Sequence, residues 1–331
     1  MTTTLSIAEA EGLVAEAMQR SEVGPVQAAS VARALVAAEA AGQGGHGLRR
    51  VAAYSAQAKV GKVMGRVMPE AARVRPGVLR IDARSGFAFP ALDLAVAEMP
   101  QIVADTGIGA AAIRNSHHAG VLALTVERFA EAGLVAIMTA NAPGAMAAWG
   151  GTRPLFGTNP IAFAAPLPGE DPLVIDLSLS KIARGKVMAA KQKGVPIPEG
   201  WALDRDGNPT TDPDAALAGT MLPAGDAKGA ALALMVEMLA AGLTGANYAY
   251  EASSLFDDRG PPPGLGQFLM VIDPAVMGGD GVLQRFGQLA AAIASEPETR
   301  IPGRRGQDAR RRAAVEGILV EDDVMAVIQA I

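Results

Sequence analysis

The stretch QIVADTGIGAAAIRNSHHAG, residues 101–120, decides the fold. Within it Gly107-Ile108-Gly109-Ala110-Ala111-Ala112 satisfies the G-x-G-x-x-A pattern of a dinucleotide-binding fingerprint. Such a fingerprint follows a strand and opens a helix, so that a pyrophosphate meets the helix N-terminus. Here the order is reversed. A helical segment, Pro90 to Asp105, runs into the glycines, and the β-type run AAAIRN, residues 110–115, leaves them. The glycines read as a helix C-cap and turn. A nicotinamide cofactor, if bound, is not bound in the Rossmann manner.

Outward from this stretch, the short β-type runs VLRID (78–82), LVAIMTAN (134–141), IAFAAP (161–166), LVIDL (173–177) and FLMVID (268–273) are interleaved with helical segments such as Val121 to Ala132. Strands alternating with helices predict a layered α/β body. The two ends read differently. Ser6 and Glu9 form a capping box before Leu13, Val14 and Met18 at helical spacing, and a second helix is expected from Pro25 to Ala41, with Val26, Val31, Leu35 and Val36 inward. After Ser295 a charged helical pattern returns, with Arg304, Arg305, Arg310, Arg311 and Arg312 ahead of a final helix from Asp322. That basic run reads as a solvated helix face or an inter-subunit contact rather than a nucleic-acid site. The pattern divides the chain into a helical unit, 1–75 plus 296–331, and an α/β unit, 76–295. Between Val195 and Ala227 the sequence is rich in Pro, Gly, Asn and Asp with little periodicity, which predicts a long functional loop, either a lid or a subunit-packing arm.

Composition narrows the functional classes. The 331 residues are 50% hydrophobic, with mean hydropathy +0.23, enough to bury a large core. With 29 Lys+Arg against 34 Asp+Glu the net charge is −5, which argues against a nucleic-acid-binding surface. The absence of cysteine removes disulfides, thiolate zinc sites and cysteine nucleophiles. MTTTLSIAEAEG at the N-terminus has neither a basic nor an apolar signal region, so a cytoplasmic location is expected. The longest uncharged run, Ala132 to Thr152, is broken by Asn141, Pro143, Gly144 and the Gly150-Gly151 pair. It predicts a buried strand and a loop, not a membrane span.

Only three histidines occur, His46, His117 and His118. Arg50 and Tyr54 follow His46 at i+4 and i+8, a spacing that drifts only about 40° per step on a helix and lines one stripe. An arginine between two neutral hydrogen-bonding rings suits a small carboxylate substrate. An exposed face on which Arg50 makes a surface salt bridge is the plain alternative. His117 and His118 fall where a strand gives way to a helix expected near Gly120, a place suited to a general acid or base, or to two histidines that merely cap the helix. No metal site is expected, since adjacent histidines seldom converge on one ion and no carboxylate stands at ligand spacing. The turn FGTNP, Phe156 to Pro160, and the segment Asp176 to Lys186 place small and hydroxyl residues beside strands, where phosphate oxygens can bind, as at many turns. Lys228 opens a strongly apolar helix, where the helix dipole disfavours a cation unless an anion lies nearby. An ordinary solvent-exposed lysine is the alternative there.

In order, HGLRRVAAY, SHHAG, AWGGTRPLFGTNPIAF, DLSLS, GWALDRDGNPTTDP, DAKGAALALMVE, GQFLMVIDP and RIPG give a chain that resembles the non-Rossmann malate/L-lactate dehydrogenase family over nearly its whole length. The resemblance implies an NAD(P)-dependent oxidoreductase in which His118 is the proton donor or acceptor and Arg50, His46 and Tyr54 hold the substrate carboxylate and its neighbours. It implies that Asp176, Leu177, Ser178 and Lys228, with the turn Gly157-Thr158-Asn159, contribute to the NAD(P) site of a homodimer. The cleft is expected between a small helical domain built from both chain ends and an α/β domain. Two departures matter. The family's serine before the first histidine is Gly45 here, and its D-x-A-T-S reads Asp176-Leu177-Ser178-Leu179-Ser180. SGFAFPALDLAVAE and LAAGLTGANYAYE resemble the cyclic imino acid reductases within the family, which favours a piperideine- or pyrroline-2-carboxylate substrate and NADPH. The alternatives are a 2-hydroxy acid dehydrogenase and, with Gly45 as its sign, a cofactor-binding protein without catalysis.

Overall fold

In the computed structural model, which describes residues 2–331, a short strand, β1 (Thr2–Leu5), leads into the Ser6 cap. Ser6 Oγ accepts from Glu9 N at 3.2 Å while Glu9 Oε2 accepts from Ser6 N at 2.8 Å, and this reciprocal pair starts α1 (Ile7–Gln19). Pro25 supplies the first turn of α2 (Pro25–Ala40), and α3 (Val51–Lys59) follows. Next come the hairpin β2 (Glu70–Arg75) and β3 (Val78–Asp82), then α4 (Ala88–Thr106), β4 (Ile108–Ser116), α5 (Ala123–Glu131) and β5 (Val135–Ala140). Two short strands, β6 (Met146–Ala147) and β7 (Pro154–Phe156), precede the hairpin β8 (Ile161–Leu167) and β9 (Glu170–Leu177). After α6 (Arg184–Lys193) the chain forms β10 (Ala202–Leu203), β11 (Pro209–Thr210), α7 (Pro213–Ala218), β12 (Thr220–Met221) and α8 (Asp226–Glu237). It closes with β13 (Leu265–Ile272), α9 (Pro274–Gly278), α10 (Val282–Ala294), α11 (Arg304–Glu316), β14 (Ile318–Glu321) and α12 (Asp322–Gln329).

The main sheet has seven strands in the order β2-β3-β4-β13-β5-β8-β9, and only β3 and β4 run parallel. A Rossmann sheet is built from successive parallel strands. Here β13, from late in the chain, enters antiparallel between β4 and β5 and fills the centre. The expectation of a layered, mixed, non-Rossmann sheet matches this order. Gly107 caps α4 in the left-handed region (φ +75°), and a Cβ at Gly109 would stand 2.8 Å from Met99 Cε and 3.1 Å from Ile102 Cγ2. The two glycines thus turn the chain and let α4 lie close on β4.

One buried cluster joins Ile113 of β4, Met138 of β5 and Leu269 of β13 to Met99 of α4 and Phe129 of α5. It continues without a break into Val14, Met18, Val31 and Leu35 of α1 and α2, so the N-terminal helices share the sheet's core. Several expectations need correction. Glu70–Arg75, read with the helical ends, is a strand of the main sheet, and the ends also carry the antiparallel pair β1 and β14. The Pro- and Gly-rich stretch after Val195 is not a structureless loop. Its strands β10, β11 and β12 join β6 and β7 in a five-stranded sheet over a second core that includes Met146, Leu179, Ile197, Met221 and Val236. Strands of two residues are too short to leave a periodic signal. The C-terminal arginines divide: Arg305 and Arg312 lie on an exposed face, as expected, while three others are tied to carboxylates. Arg304 pairs with Glu170 at 2.5 Å, Arg311 with Asp171, and Arg310 with the buried carboxylate of Glu127, tying α11 to β9 and α5. Among the described residues no helix is long and apolar enough to cross a membrane.

Candidate active site

The structure gathers His46, Arg50, Tyr54 and His118, but not by the single helical stripe that the spacing predicts. Gly44–His46 is one 3₁₀ turn, Gly47 is non-helical (φ −98°, ψ −138°), Leu48–Arg50 is a second 3₁₀ turn, and α3 begins only at Val51. Glycine is costly in a helix, and here it is also required by packing. A Cβ on Gly47 would fall 2.2 Å from Glu39 Oε2, and that carboxylate accepts from Leu48 N at 2.8 Å. The break turns the His46 ring onto His118, with centroids 5.1 Å apart and planes within 17°.

Tyr54 is fully buried, packed against Phe87, Phe89 and His117, and its hydroxyl lies 2.6 Å from His118 Nδ1. His118 Nε2 has no protein partner among the described residues, which leaves it for a ligand. Burial first, and then the positive charge of Arg50, hold the His118 pKa well below the ordinary 6.5. The same two causes take His46 down to about 4, and burial with Arg50 and Lys62 takes His117 to about 3. All three imidazoles are neutral at pH 7. Desolvation pushes the Tyr54 pKa up, so its phenol also stays neutral. Arg50 Nε donates to Gly45 O at 2.8 Å, no carboxylate pairs with its guanidinium among the described residues, and the Phe256 ring centroid lies 4.8 Å from its Cζ. The two Nη groups are therefore free to fork onto a ligand carboxylate. Nothing lies within 4 Å of the Cβ position of Gly45, so the family's missing serine leaves open space.

His117 is set apart from this group. Only 1% exposed, it contacts Gln57 Oε1 through Nε2 at 2.9 Å, while Gln267 donates to its carbonyl at 3.2 Å. The helix expected near Gly120 starts at Ala123, so residues 117–122 form a bend rather than a first turn. Asp176 Oδ2 accepts from Ala123 N at 2.8 Å in that bend, and desolvation raises its pKa to about 6. Asp176 thereby joins the end of β9 to the segment that carries His118. Leu177 beside it is 46% exposed, and Ser178 Oγ bonds Ser180 Oγ at 2.7 Å and Thr158 O at 3.3 Å.

Ser180 bridges to Pro223 and Ala224 N donates to Leu179 O at 2.8 Å, so this hydroxyl pair abuts the N-terminus of α8. That terminus has a left-handed glycine, Gly225, no side-chain cap, and the exposed Lys228 in its first turn without an ion pair among the described residues. Two hydroxyls, uncapped amides and a free ammonium fit a phosphate-bearing cofactor. The turn at 157–159 contributes less openly. A Cβ on Gly157 would lie 2.2 Å from Ala142 O, and the fully buried Asn159 (φ +41°) donates to Glu237 Oε2 at 2.7 Å and Ala233 O at 2.9 Å. Glu237, Gln57, Lys62 and Phe256 have no counterpart in the sequence reading. Among the described residues no group of three or more His, Asp or Glu side chains is disposed to hold a metal ion.

The malate/L-lactate dehydrogenase family matches residues 5–329. Over 330 residues the chain is 50% identical to the (2R)-3-sulfolactate dehydrogenase (NADP(+)) of Chromohalobacter salexigens, covering 100% of this chain and 98% of that one. It is 40% identical over 319 residues to the Δ1-pyrroline-2-carboxylate/Δ1-piperideine-2-carboxylate reductase of Pseudomonas putida, covering 95% and 92% of the two chains. Its fold superposes on the crystal structure of Δ1-piperideine-2-carboxylate reductase from Pseudomonas syringae pathovar tomato with a TM-score of 0.94 at 37% identity, covering 99% of each chain.

Proposed function

The chain belongs to the malate/L-lactate dehydrogenase family, and from that premise we propose that this NAD(P)-dependent oxidoreductase acts on a small 2-hydroxy carboxylate, with (2R)-3-sulfolactate the first candidate. The observation that carries the chemistry is the Tyr54 hydroxyl at 2.6 Å from His118 Nδ1, beside an arginine with a free fork. Arg50 binds the substrate carboxylate through its two Nη groups, which fixes the orientation of C2. His118 holds its proton on Nδ1, donates it to the Tyr54 oxygen, and presents Nε2 to the C2 hydroxyl. As a neutral base it takes that hydroxyl proton, and as imidazolium it returns it in the reverse direction. A nicotinamide cofactor held by Ser178, Lys228 and the α8 N-terminus would supply or take up the hydride at C2. His46, stacked on His118, keeps water and a second charge away from the imidazole.

Ser178, Lys228 and the α8 N-terminus are assigned to the cofactor phosphates, and Asp176 to holding the 117–123 bend against them. The NADP(+) in the name of the 50% identical relative favours NADPH over NADH. Leu232, Met235, Met238 and Leu243, between 43% and 63% exposed along α8 and the turn that continues it, support a homodimer buried along that face.

The 50% identity to a hydroxy acid enzyme, against 40% to an imino acid reductase, moves the preferred substrate away from the cyclic imino acids. Their reduction stays as the second reading, supported by the TM-score of 0.94. A panel of 3-sulfopyruvate, pyruvate, oxaloacetate and Δ1-pyrroline-2-carboxylate, followed by NADPH and NADH absorbance, tests both. The expected result is the highest kcat/KM with 3-sulfopyruvate and NADPH. A preference for pyrroline-2-carboxylate would establish the second reading, turnover of any of the four would exclude a protein without catalysis, and turnover of none would overturn both substrate readings.

A further inference from the structure

Lys62 is an internal cation with an unusual set of partners. It follows α3, where Gly61 in the left-handed region (φ +74°) turns the chain so that Lys62 N can donate to Gln57 O at 2.9 Å. Its side chain is 0% exposed, and its Nζ donates to Ser254 O at 2.6 Å, Arg259 O at 2.6 Å and Asp257 O at 3.0 Å. Those three carbonyls match the three protons of an ammonium. Asp257 Oδ1, 3.4 Å away, is the nearest carboxylate and is itself turned toward Arg259 N at 2.9 Å. A second buried side chain grips the same loop, since Gln57 Nε2 donates to Asp257 O at 2.9 Å while its Oε1 meets His117 Nε2.

The segment 254–259 has no helix or strand of its own, so its shape depends on these bonds. A charge is kept in a protein interior only where its hydrogen-bonding capacity is fully met, and here the loop meets it by wrapping around the ammonium. The residue presented by that wrapping is Phe256, 42% exposed, with its ring on the Arg50 guanidinium. A ring on one face of a guanidinium leaves the in-plane Nη–H groups free and fixes the plane in which they point. Lys62 itself has no contact with Arg50 or His118.

We propose that Lys62 is a positioning residue of the substrate site: its ammonium templates the 254–259 loop and so seats Phe256 against Arg50, which sets the plane of the carboxylate fork. This rests on the reading of Arg50 as the substrate's carboxylate anchor. The test uses the full-length enzyme with Lys62→Met, Phe256→Ala and the double variant, with Arg50→Lys alongside. Two measurements are made: the Kd of oxamate, an unreactive 2-oxo carboxylate, with NADPH present, and KM and kcat for 3-sulfopyruvate and pyruvate. Lys62→Met and Phe256→Ala should each raise the oxamate Kd and the substrate KM about 10-fold while kcat falls less than about 3-fold and the NADPH Kd holds. The double variant should be no worse than the larger single one, because both changes remove the same contact. Phe256→Ala keeps the proposal falsifiable if Lys62→Met folds poorly. Raised values for Arg50→Lys alone would overturn the role of Lys62 and leave Arg50 as the anchor. Unchanged oxamate binding in every variant would overturn both, and effects that multiply in the double variant would show that Lys62 acts by another route.

Discussion

Replacing Tyr54 by Phe removes one hydroxyl from a buried side chain and leaves the ring in place. The residue is 0% exposed, and its hydroxyl has His118 Nδ1, at 2.6 Å, as its partner. The ring contacts with Phe87, Phe89 and His117 survive the change. On the proposed tautomer, what is lost is the group that receives the Nδ1 proton, both when His118 is the neutral base and when it is the imidazolium. An unmet buried donor costs about 1–3 kcal/mol. If that cost falls on the reactive state, turnover drops roughly 5- to 150-fold. The imidazolium suffers more than the neutral ring, so the already depressed His118 pKa should fall further, and reduction of a 2-oxo acid should lose more than oxidation of a 2-hydroxy acid. Steady-state kcat in both directions from pH 5.5 to 8.5, with thermal melting to confirm folding, checks this. A folded Tyr54→Phe enzyme with wild-type kcat in both directions would refute the idea that Tyr54 governs the His118 proton.

Other consequences follow from the same geometry. His118→Ala should lower kcat about 100-fold or more with near-normal NADPH affinity, whereas His117→Ala, which empties a buried site against Gln57, should lower the melting temperature with a smaller effect on kcat. Lys228→Ala should weaken NADPH binding in a fluorescence titration, while Gly107→Ala, whose Cβ would stand 2.8 Å from Val276 Cγ1 at a φ of +75°, should cost stability and leave that titration near normal. His46 at about 4, His117 at about 3 and the lowered His118 refuse protons that the unfolded chain takes up near its ordinary 6.5, so their stability contribution is present above pH 6.5 and is lost as pH falls below it. Asp176, raised from 3.8 to about 6, works in the opposite sense between those values, as do Glu131 and Glu237, both raised by burial, so the decline expected from the three histidines is partly offset. Urea midpoints should therefore decline from pH 7 to pH 5, and a flat profile would count against buried neutral histidines.

Much of the architecture was legible because it is local. The order helix, Gly107, Gly109, strand is written in neighbouring periodicities, and it was enough to set aside a Rossmann reading. The position of β13 was not legible, since FLMVID, residues 268–273, reads as a strand but nothing within it names β4 and β5 as its partners. The stripe of His46, Arg50 and Tyr54 was right about proximity and wrong about backbone. Gly44, Gly45 and Gly47 held the signal for the break, and the packing of Gly47 on Glu39 is its cause. Phe256 and Lys62 escaped because the contacts that matter, Phe256 on Arg50 and Lys62 on the 254–259 loop, each join residues about two hundred apart, where no spacing rule reaches. The ion pairs of Arg304, Arg310 and Arg311 escaped for the same reason, as their carboxylates lie on β9 and α5, while Arg305 and Arg312 are exposed as the pattern predicts.

The charge distribution of the site explains why these residues belong together. Arg50 is enclosed, burial disfavours its charge, and no carboxylate in the described chain answers it. Its unbalanced charge is one of the causes holding all three histidines below their ordinary pKa. A half-buried guanidinium with free Nη groups is well placed for a ligand that brings its own anion. A substrate carboxylate does so, and on binding it cancels much of the field that Arg50 exerts on His118. On the proposed role of Arg50, the imidazole pKa then recovers only the Arg50 share of its lowering, because burial, the larger cause, remains. Substrate binding and proton competence are thereby coupled through one guanidinium.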